Sequence, residues 1–167
     1  ALWLTLAFLL PNLPALVSGF LYDDLPLIVD NDRLHSLARL PLVFTHGYWP
    51  DRPGITAYRP VAQVLWGFLW VSSGGQPLLF HVANLLLGIA AVLLIYRLLL
   101  ALAVPARRAF VATLLFALLP IHTEATTPAV ALSEPLAAVF GIGALLLYLS
   151  GRRLSALLLF ALGVFSK

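Results

Sequence analysis

Tyr22-Asp23-Asp24 sets two carboxylates side by side where a long apolar run ends. Adjacent acids at an apolar boundary repel each other and lose hydration. Both effects raise the pKa of at least one of them and can tune it as a base. The plainer reading is a solvated helix cap. Tyr58-Arg59-Pro60 stands where the chain returns to apolar sequence. An arginine there can snorkel and mark an interface, or hold a phosphate with its two-pronged guanidinium. His81 and Asn84, three residues apart, share one helix face near the start of an apolar run. Polar groups at that depth turn toward a bundle interior or a wet cavity; an interhelical hydrogen bond serves as well as a substrate contact.

His122-Thr123-Glu124 closes another apolar run. His-x-Glu spacing suits a metal, but two ligands in a loop do not make a site. Glu134, in Ser133-Glu134-Pro135, opens the next run. A glutamate facing lipid is costly, so Glu134 should turn inward, either as a site residue or as a structural carboxylate paired with an arginine.

These residues need a scaffold, and composition indicates which. Apolar residues make up 62% of 167 positions and charged residues 10%, with a mean hydropathy of +1.00. A soluble domain is about a quarter charged and could not cover its surface with so few charges. The chain is therefore expected to be an all-α, polytopic membrane bundle of about five spans, each needing about 20 apolar residues. The spans are placed at about 1–20, 78–103, 107–121, 128–149 and 154–167. Pro11 and Pro14 interrupt the first, which a membrane helix tolerates. Residues 21–77 form one long outer loop holding five of the seven acids, Asp23, Asp24, Asp30, Asp32 and Asp51. Within it, Leu34–Phe44 is expected as a short surface helix. Val61–Val71, too short to span, is expected as a re-entrant helix.

Arg107-Arg108 and Arg152-Arg153 sit in short turns after the second and fourth spans, so those turns are expected on the cytoplasmic side. The N-terminus then lies inside, and the acidic loop and His122-Thr123-Glu124 lie outside. Nine of the ten basic residues are Arg, which fits a bacterial inner membrane. No cysteine is present, so disulfides and thiolate zinc sites are excluded. The scattered basic residues form no patch for nucleic acid. The chain starts at Ala1 and stops at Lys167 directly after an apolar run; it reads as the N-terminal piece of a longer protein, inactive on its own.

The ordered set of motifs resembles the GT-C membrane glycosyltransferases. These are Tyr22-Asp23-Asp24 after the first span, Tyr58-Arg59-Pro60 ending the loop, His81-x-x-Asn84, and Pro120-Ile121-His122-Thr123-Glu124-Ala125. The nearest branch is the protein O-mannosyltransferases, in particular the tetratricopeptide-bearing transmembrane type and its bacterial relatives. The resemblance covers nearly the whole chain, and Ser166-Lys167 is similar to the start of that family's Ser-Lys-Glu. There are departures. Val61 follows Tyr58-Arg59-Pro60 where Leu is usual, and Leu119 precedes Pro120 where His is common. Ala131-Leu132-Ser133-Glu134 keeps the Glu of a Gly-Arg-Ala-Glu pattern but loses its Arg, which leaves the donor sugar open.

The resemblance implies transfer of a sugar from a polyprenyl-phosphate carrier in the membrane lipid to a protein or glycan hydroxyl on the outer face. Asp23 or Asp24, with Asp23 preferred, would deprotonate the acceptor, giving inversion. An oxocarbenium-like transition state would be steadied by a nearby carboxylate. Arg59 would stabilise the leaving phosphate, and His122 with Glu124 would position acceptor or sugar. No cofactor is assigned; a divalent metal stays open, because some GT-C branches bind one. Two other readings compete. A transporter or flippase-like protein would use intramembrane ionisable groups as an ion path and should show repeated halves, of which none is visible. A non-catalytic membrane scaffold would keep the fold without activity.

Overall fold

The computed structural model describes residues 1–50 and 57–167, so Asp51 and Arg52 of the outer loop lie outside the described residues. The described residues are helical, with no strand among them. Helix α1 spans Leu2–Asn12. Pro14 has no N–H to continue the ladder, and the chain tightens into a 3₁₀ turn over Leu13–Val17. Asn12 is buried and donates its amide back to Phe8 O at 2.7 Å, so its polar side chain is satisfied inside an apolar segment.

From Phe20 to Pro50 the loop is built of short turns, a π turn over Leu25–Val29 and a 3₁₀ turn over Leu40–Phe44. The surface helix expected over Leu34–Phe44 is confined to that last turn. Pro41 can stand only at a helix start, and the apolar residues Leu34, Leu40 and Val43 are buried against the protein instead of lying on a membrane surface. His35 stacks on Trp70, ring centres 4.1 Å apart.

Helix α2, Pro60–Ser73, starts with proline in its first turn and ends at Gly74, whose φ of 62° only glycine takes without strain. Helix α3, Leu78–Ala101, is central and packs on α1, on α4 (Ala106–Ala117) and on α6 (Ser133–Leu149). A short helix α5, His122–Thr126, and a 3₁₀ turn, Ala129–Leu132, link α4 to α6. Helix α7, Arg153–Val164, folds back on α6.

Two helical segments are long and apolar enough to cross a membrane, Leu78–Ala101 and Ala129–Leu149. At about 1.5 Å per residue they measure roughly 36 and 31 Å, against a hydrocarbon core of about 30 Å. Leu2–Val17 and Arg153–Val164 are apolar but shorter, and the 12 residues of α4 reach only about 18 Å. The helix flanks support a lipid setting, since Trp3, Leu86, Leu115, Leu145, Leu157 and Phe160 all stand more than half exposed.

Asn84, near the start of α3, bonds the segment between α5 and α6. The chain therefore places the Arg107-Arg108 and Arg152-Arg153 turns at one end of the bundle. Helix α5, the Ala129–Leu132 turn and the long loop after α1 lie at the other. Two apolar cores follow this division. One, around Leu27, Ile28, Trp66 and Phe80, sits under the loop; the other, around Leu4, Phe8, Leu85 and Val92, joins α1 to α3 and α4.

Gly88 lets α1 and α3 approach. A Cβ there would stand 2.2 Å from Phe8 Cζ and 2.5 Å from Cε1, inside a ring that is itself buried. Gly141 on α6 has nothing within 4 Å of the same position. Gly88→Ala should destabilise the detergent-solubilised protein by about 1–3 kcal/mol through overpacking. Gly141→Ala should be neutral or gain a little from helix propensity. Matched thermal midpoints for the two variants would rule out the close Phe8 contact as a packing constraint.

Candidate active site

The two neighbouring aspartates point into different surroundings. Tyr22 sits in the left-handed region with φ of 46°, a strained conformation for a non-glycine residue, and stands 87% exposed. After that kink Asp24 is fully buried while Asp23 is exposed. Asp24 accepts three backbone N–H groups: Oδ2 from Leu21 at 2.8 Å and from Ala129 at 3.0 Å, and Oδ1 from Val130 at 2.8 Å. Burial pushes its carboxyl above the ordinary value of 3.8, while the three amides and the charge of His81 pull the other way.

His81 and Asn84 brace this arrangement from α3. Both are fully buried. His81 donates Nε2–H to Ser18 O at 3.0 Å, fixing the chain that leads into Asp23. Asn84 donates to Pro128 O at 2.9 Å and to Thr126 O at 3.3 Å, fixing the chain that carries the Ala129 and Val130 amides. Thr126 in turn donates to Asn12 Oδ1 at 3.0 Å, tying α5 to α1.

Asp23 lines a cavity of about 590 Å³ together with Arg59, Glu124 and Glu134. Tyr48, Trp49 and Ser133 belong to the same wall. The cavity thus gathers charged groups from four separate stretches of chain. Arg59 caps α2 and stacks over the Tyr48 ring, its Cζ 5.0 Å from the centroid. Among the described residues it has no carboxylate within ion-pair distance, although three carboxylates line the same space. Burial pushes the Tyr48 phenol up to about 12, with Arg59 opposing, so it remains a neutral hydroxyl at physiological pH. Asp23 and Glu124 have no bonded side-chain partner among the described residues. Glu134 pairs with Lys167, not with an arginine.

Tyr58 and His122 do not line this cavity. Tyr58 donates its hydroxyl to Phe44 O at 3.0 Å and packs its ring against Phe165, so it fixes the backbone that presents Arg59. His122 donates Nε2–H to Phe116 O at 2.7 Å and meets Phe8 and Phe116 edge-on. It lines a second hollow of about 220 Å³ deeper in the bundle, which shares Ala125 and Glu134 with the first. Residues two apart on a short helix face different ways, so His122 turns inward where Glu124 turns to the cavity. Among the described residues no three His, Asp or Glu side chains come together as a metal-binding group.

Sequence reasoning passed over Tyr48, Trp49 and Lys167. The aromatic pair Tyr48-Trp49 carries a usable signal, because loop aromatics close to an acid in sequence suit a sugar face. For Lys167 the signal is the likeness of Ser166-Lys167 to the family's Ser-Lys-Glu, which assigns no role; the ion pair with Glu134 brings it to the site.

The two aspartates should separate in stability. Asp24→Asn keeps one acceptor oxygen and turns an NH₂ toward a buried backbone N–H, leaving a donor unsatisfied. It should cost about 1–3 kcal/mol, whereas Asp23→Asn should leave the thermal midpoint in place. Because the folded Asp24 holds its proton more tightly than the unfolded chain, its contribution to stability is largest at low pH. That contribution is lost as pH rises from 3.8 through the raised value, a slope absent in Asp24→Asn. Equal midpoints and equal pH slopes for the three proteins would refute the clamp.

Comparison with known proteins comes to one group. The chain is 33% identical over 138 residues to "Protein O-mannosyl-transferase TMTC3" of Mus musculus, covering 80% of this chain and 15% of that protein. It is 33% identical over 154 residues to "Protein O-mannosyl-transferase Tmtc3" of Drosophila melanogaster, covering 78% of this chain and 17% of that protein. "Protein O-mannosyl-transferase F38B6.6" of Caenorhabditis elegans is 29% identical over 175 residues, covering 95% of this chain and 24% of that protein. No protein-family model and no solved structure matches the chain. The chain spans less than a quarter of the length of these relatives, and over that length it is similar to animal proteins named as protein O-mannosyltransferases.

Proposed function

We propose that this chain forms part of a membrane glycosyltransferase of the GT-C type, which moves a sugar, mannose by likeness to its relatives, from a polyprenyl-phosphate carrier to a protein Ser or Thr hydroxyl. The observation that carries the reading is one cavity that gathers Asp23, Glu124 and Glu134 with Arg59, which has no ion-pair partner among the described residues. Such a site needs a base, a phosphate anchor and polar groups for a sugar, and those are the groups gathered there.

In this reading Asp23 takes the acceptor proton as its oxygen attacks the anomeric carbon, while the carbon–oxygen bond to phosphate breaks on the far side with inversion. The electron pair leaves on the phosphate, so no strong acid is needed. Arg59 balances the growing charge with a geometry suited to two phosphate oxygens. Tyr48 holds the guanidinium in place from beneath. Glu124 and Ser133 hold sugar or acceptor hydroxyls, and the Trp49 ring offers an apolar face to the sugar. Asp24, His81, Asn84 and Tyr58 act on the chain around the site and touch no substrate, and His122 holds α5 through Phe116.

The carrier's isoprenoid tail lies in the bilayer beside the apolar helix flanks, and its phosphate reaches the cavity at the loop end of the bundle. About five membrane passages, completed by Leu2–Val17, Ala106–Ala117 and Arg153–Val164 in a locally thinned bilayer, place this end outside and both arginine turns in the cytoplasm. The arginine-rich composition supports a bacterial plasma membrane, whereas the named relatives are animal proteins.

The test is sugar transfer by membranes carrying the full-length protein, using a radiolabelled polyprenyl-phosphate mannose and a Ser/Thr peptide. Asp23→Asn should lower turnover about 10²–10⁴-fold, and Arg59→Ala about 10²–10³-fold, at matched expression. Absence of transfer from the wild type with mannose and with other carrier-linked sugars would sink the proposal. Full activity in Asp23→Asn would remove the base.

A further inference from the structure

Among the described residues Lys167 is the other cation near the site, and its placement calls for explanation. Ser166 is fully buried and donates its hydroxyl to Leu162 O at 2.7 Å. The Val61 N–H donates to Phe165 O at 3.1 Å, joining the end of α7 to the first turn of α2 directly beside Arg59. The Phe165 ring also meets Tyr58. The backbone beneath Lys167 is therefore fixed next to the phosphate-side wall of the cavity. Its long side chain is left free to turn, and it pairs with Glu134, which lines that cavity. Both partners of the pair are nearly half exposed. Such pairs contribute little net stability, so exchanging Glu134 for a stronger anion carries little penalty.

Charge explains why an exchange would occur. Among the described residues three carboxylates line the cavity against a single guanidinium, a poor setting for phosphate unless a second cation assists. The carrier-linked sugar is a phosphodiester with one negative charge. When its carbon–oxygen bond breaks, the electron pair stays on oxygen and the phosphate becomes a monoester with about one charge more. Arg59 is in place for the first charge.

Resting on the function proposed above, we infer that Lys167 is a mobile second phosphate ligand, held by Glu134 until the phosphate gains its extra charge. The ammonium then moves from the Glu134 carboxylate to the leaving phosphate oxygen. No proton is transferred in that movement, and the acceptor's proton stays on Asp23. Lysine suits the role better than arginine, because its ammonium is a compact point charge on a flexible stem. The site should therefore discriminate between monoester and diester phosphates.

The discrimination can be read without turnover. Farnesyl phosphate and its methyl diester would be titrated into the detergent-solubilised full-length protein, with sugar transfer assayed alongside. The wild type should prefer the monoester, and Lys167→Met should lose about ten- to a hundredfold of monoester affinity with little change for the diester. Lys167→Arg should recover part of the preference. Glu134→Gln, which releases the lysine, should tighten monoester binding. In transfer assays Lys167→Met should lower kcat more than it raises KM. A wild type that transfers sugar while Lys167→Met keeps the full monoester preference would overturn this inference and leave the transferase reading standing. A wild type that binds neither phosphate and transfers nothing would overturn both.

Discussion

The site hangs on one buried carboxylate. Asp24 accepts the amides of Ala129 and Val130 across more than a hundred residues of chain, and that of Leu21 from its own loop. A carboxylate is acceptor-only and can take several N–H groups at once, so one side chain joins the long first loop to the turn that opens α6. Without it, Asp23 would have no fixed relation to Glu124 or Glu134, which arrive on the other side of that joint. The cost is a carboxylate held in a dry place, as its raised pKa records. Three amides that would otherwise be stranded in the same place offset that cost.

The polar groups inside the apolar helices serve the same joint. His81 and Asn84 send their N–H groups to loop carbonyls on either side of Asp24, and Asn12 reaches Thr126. In a chain this apolar, helix packing alone supplies little specificity, because lipid competes on equal terms for apolar surface. Directional hydrogen bonds to particular carbonyls decide where the loops rest. The cavity is then a gap between fixed loops, and the backbone sets where its charges stand; among the described residues only Glu134 of the four is ion-paired. Arg59 illustrates this, stacked on Tyr48 while three carboxylates share its cavity.

Much of this was legible in the residues. The apolar runs announce a helical membrane chain, and the acids, Arg59 and Glu134 stand where those runs break. Two helical segments reach membrane length. The lengths of Leu2–Val17, Ala106–Ala117 and Arg153–Val164 were not legible, because proline placement and short connecting turns cut helices that look continuous by hydropathy. Leu34–Phe44 likewise has an amphipathic pattern, but Leu34, Leu40 and Val43 pack into a protein core, while Leu37, Leu42 and Phe44 stay exposed.

By itself the sequence determined the class of solvent this chain must face and the chemical types available at the loop end, since hydropathy and residue identity are local properties. Only the tertiary structure decided which of two adjacent aspartates meets the cavity and which is buried. Their side chains differ by the direction a strained Tyr22 imparts and by amides more than a hundred residues away. It also decided that His122 turns from the site while Glu124 faces it, and that Lys167 stands beside Glu134. Those are relations between distant segments, and spacing along the chain does not encode them.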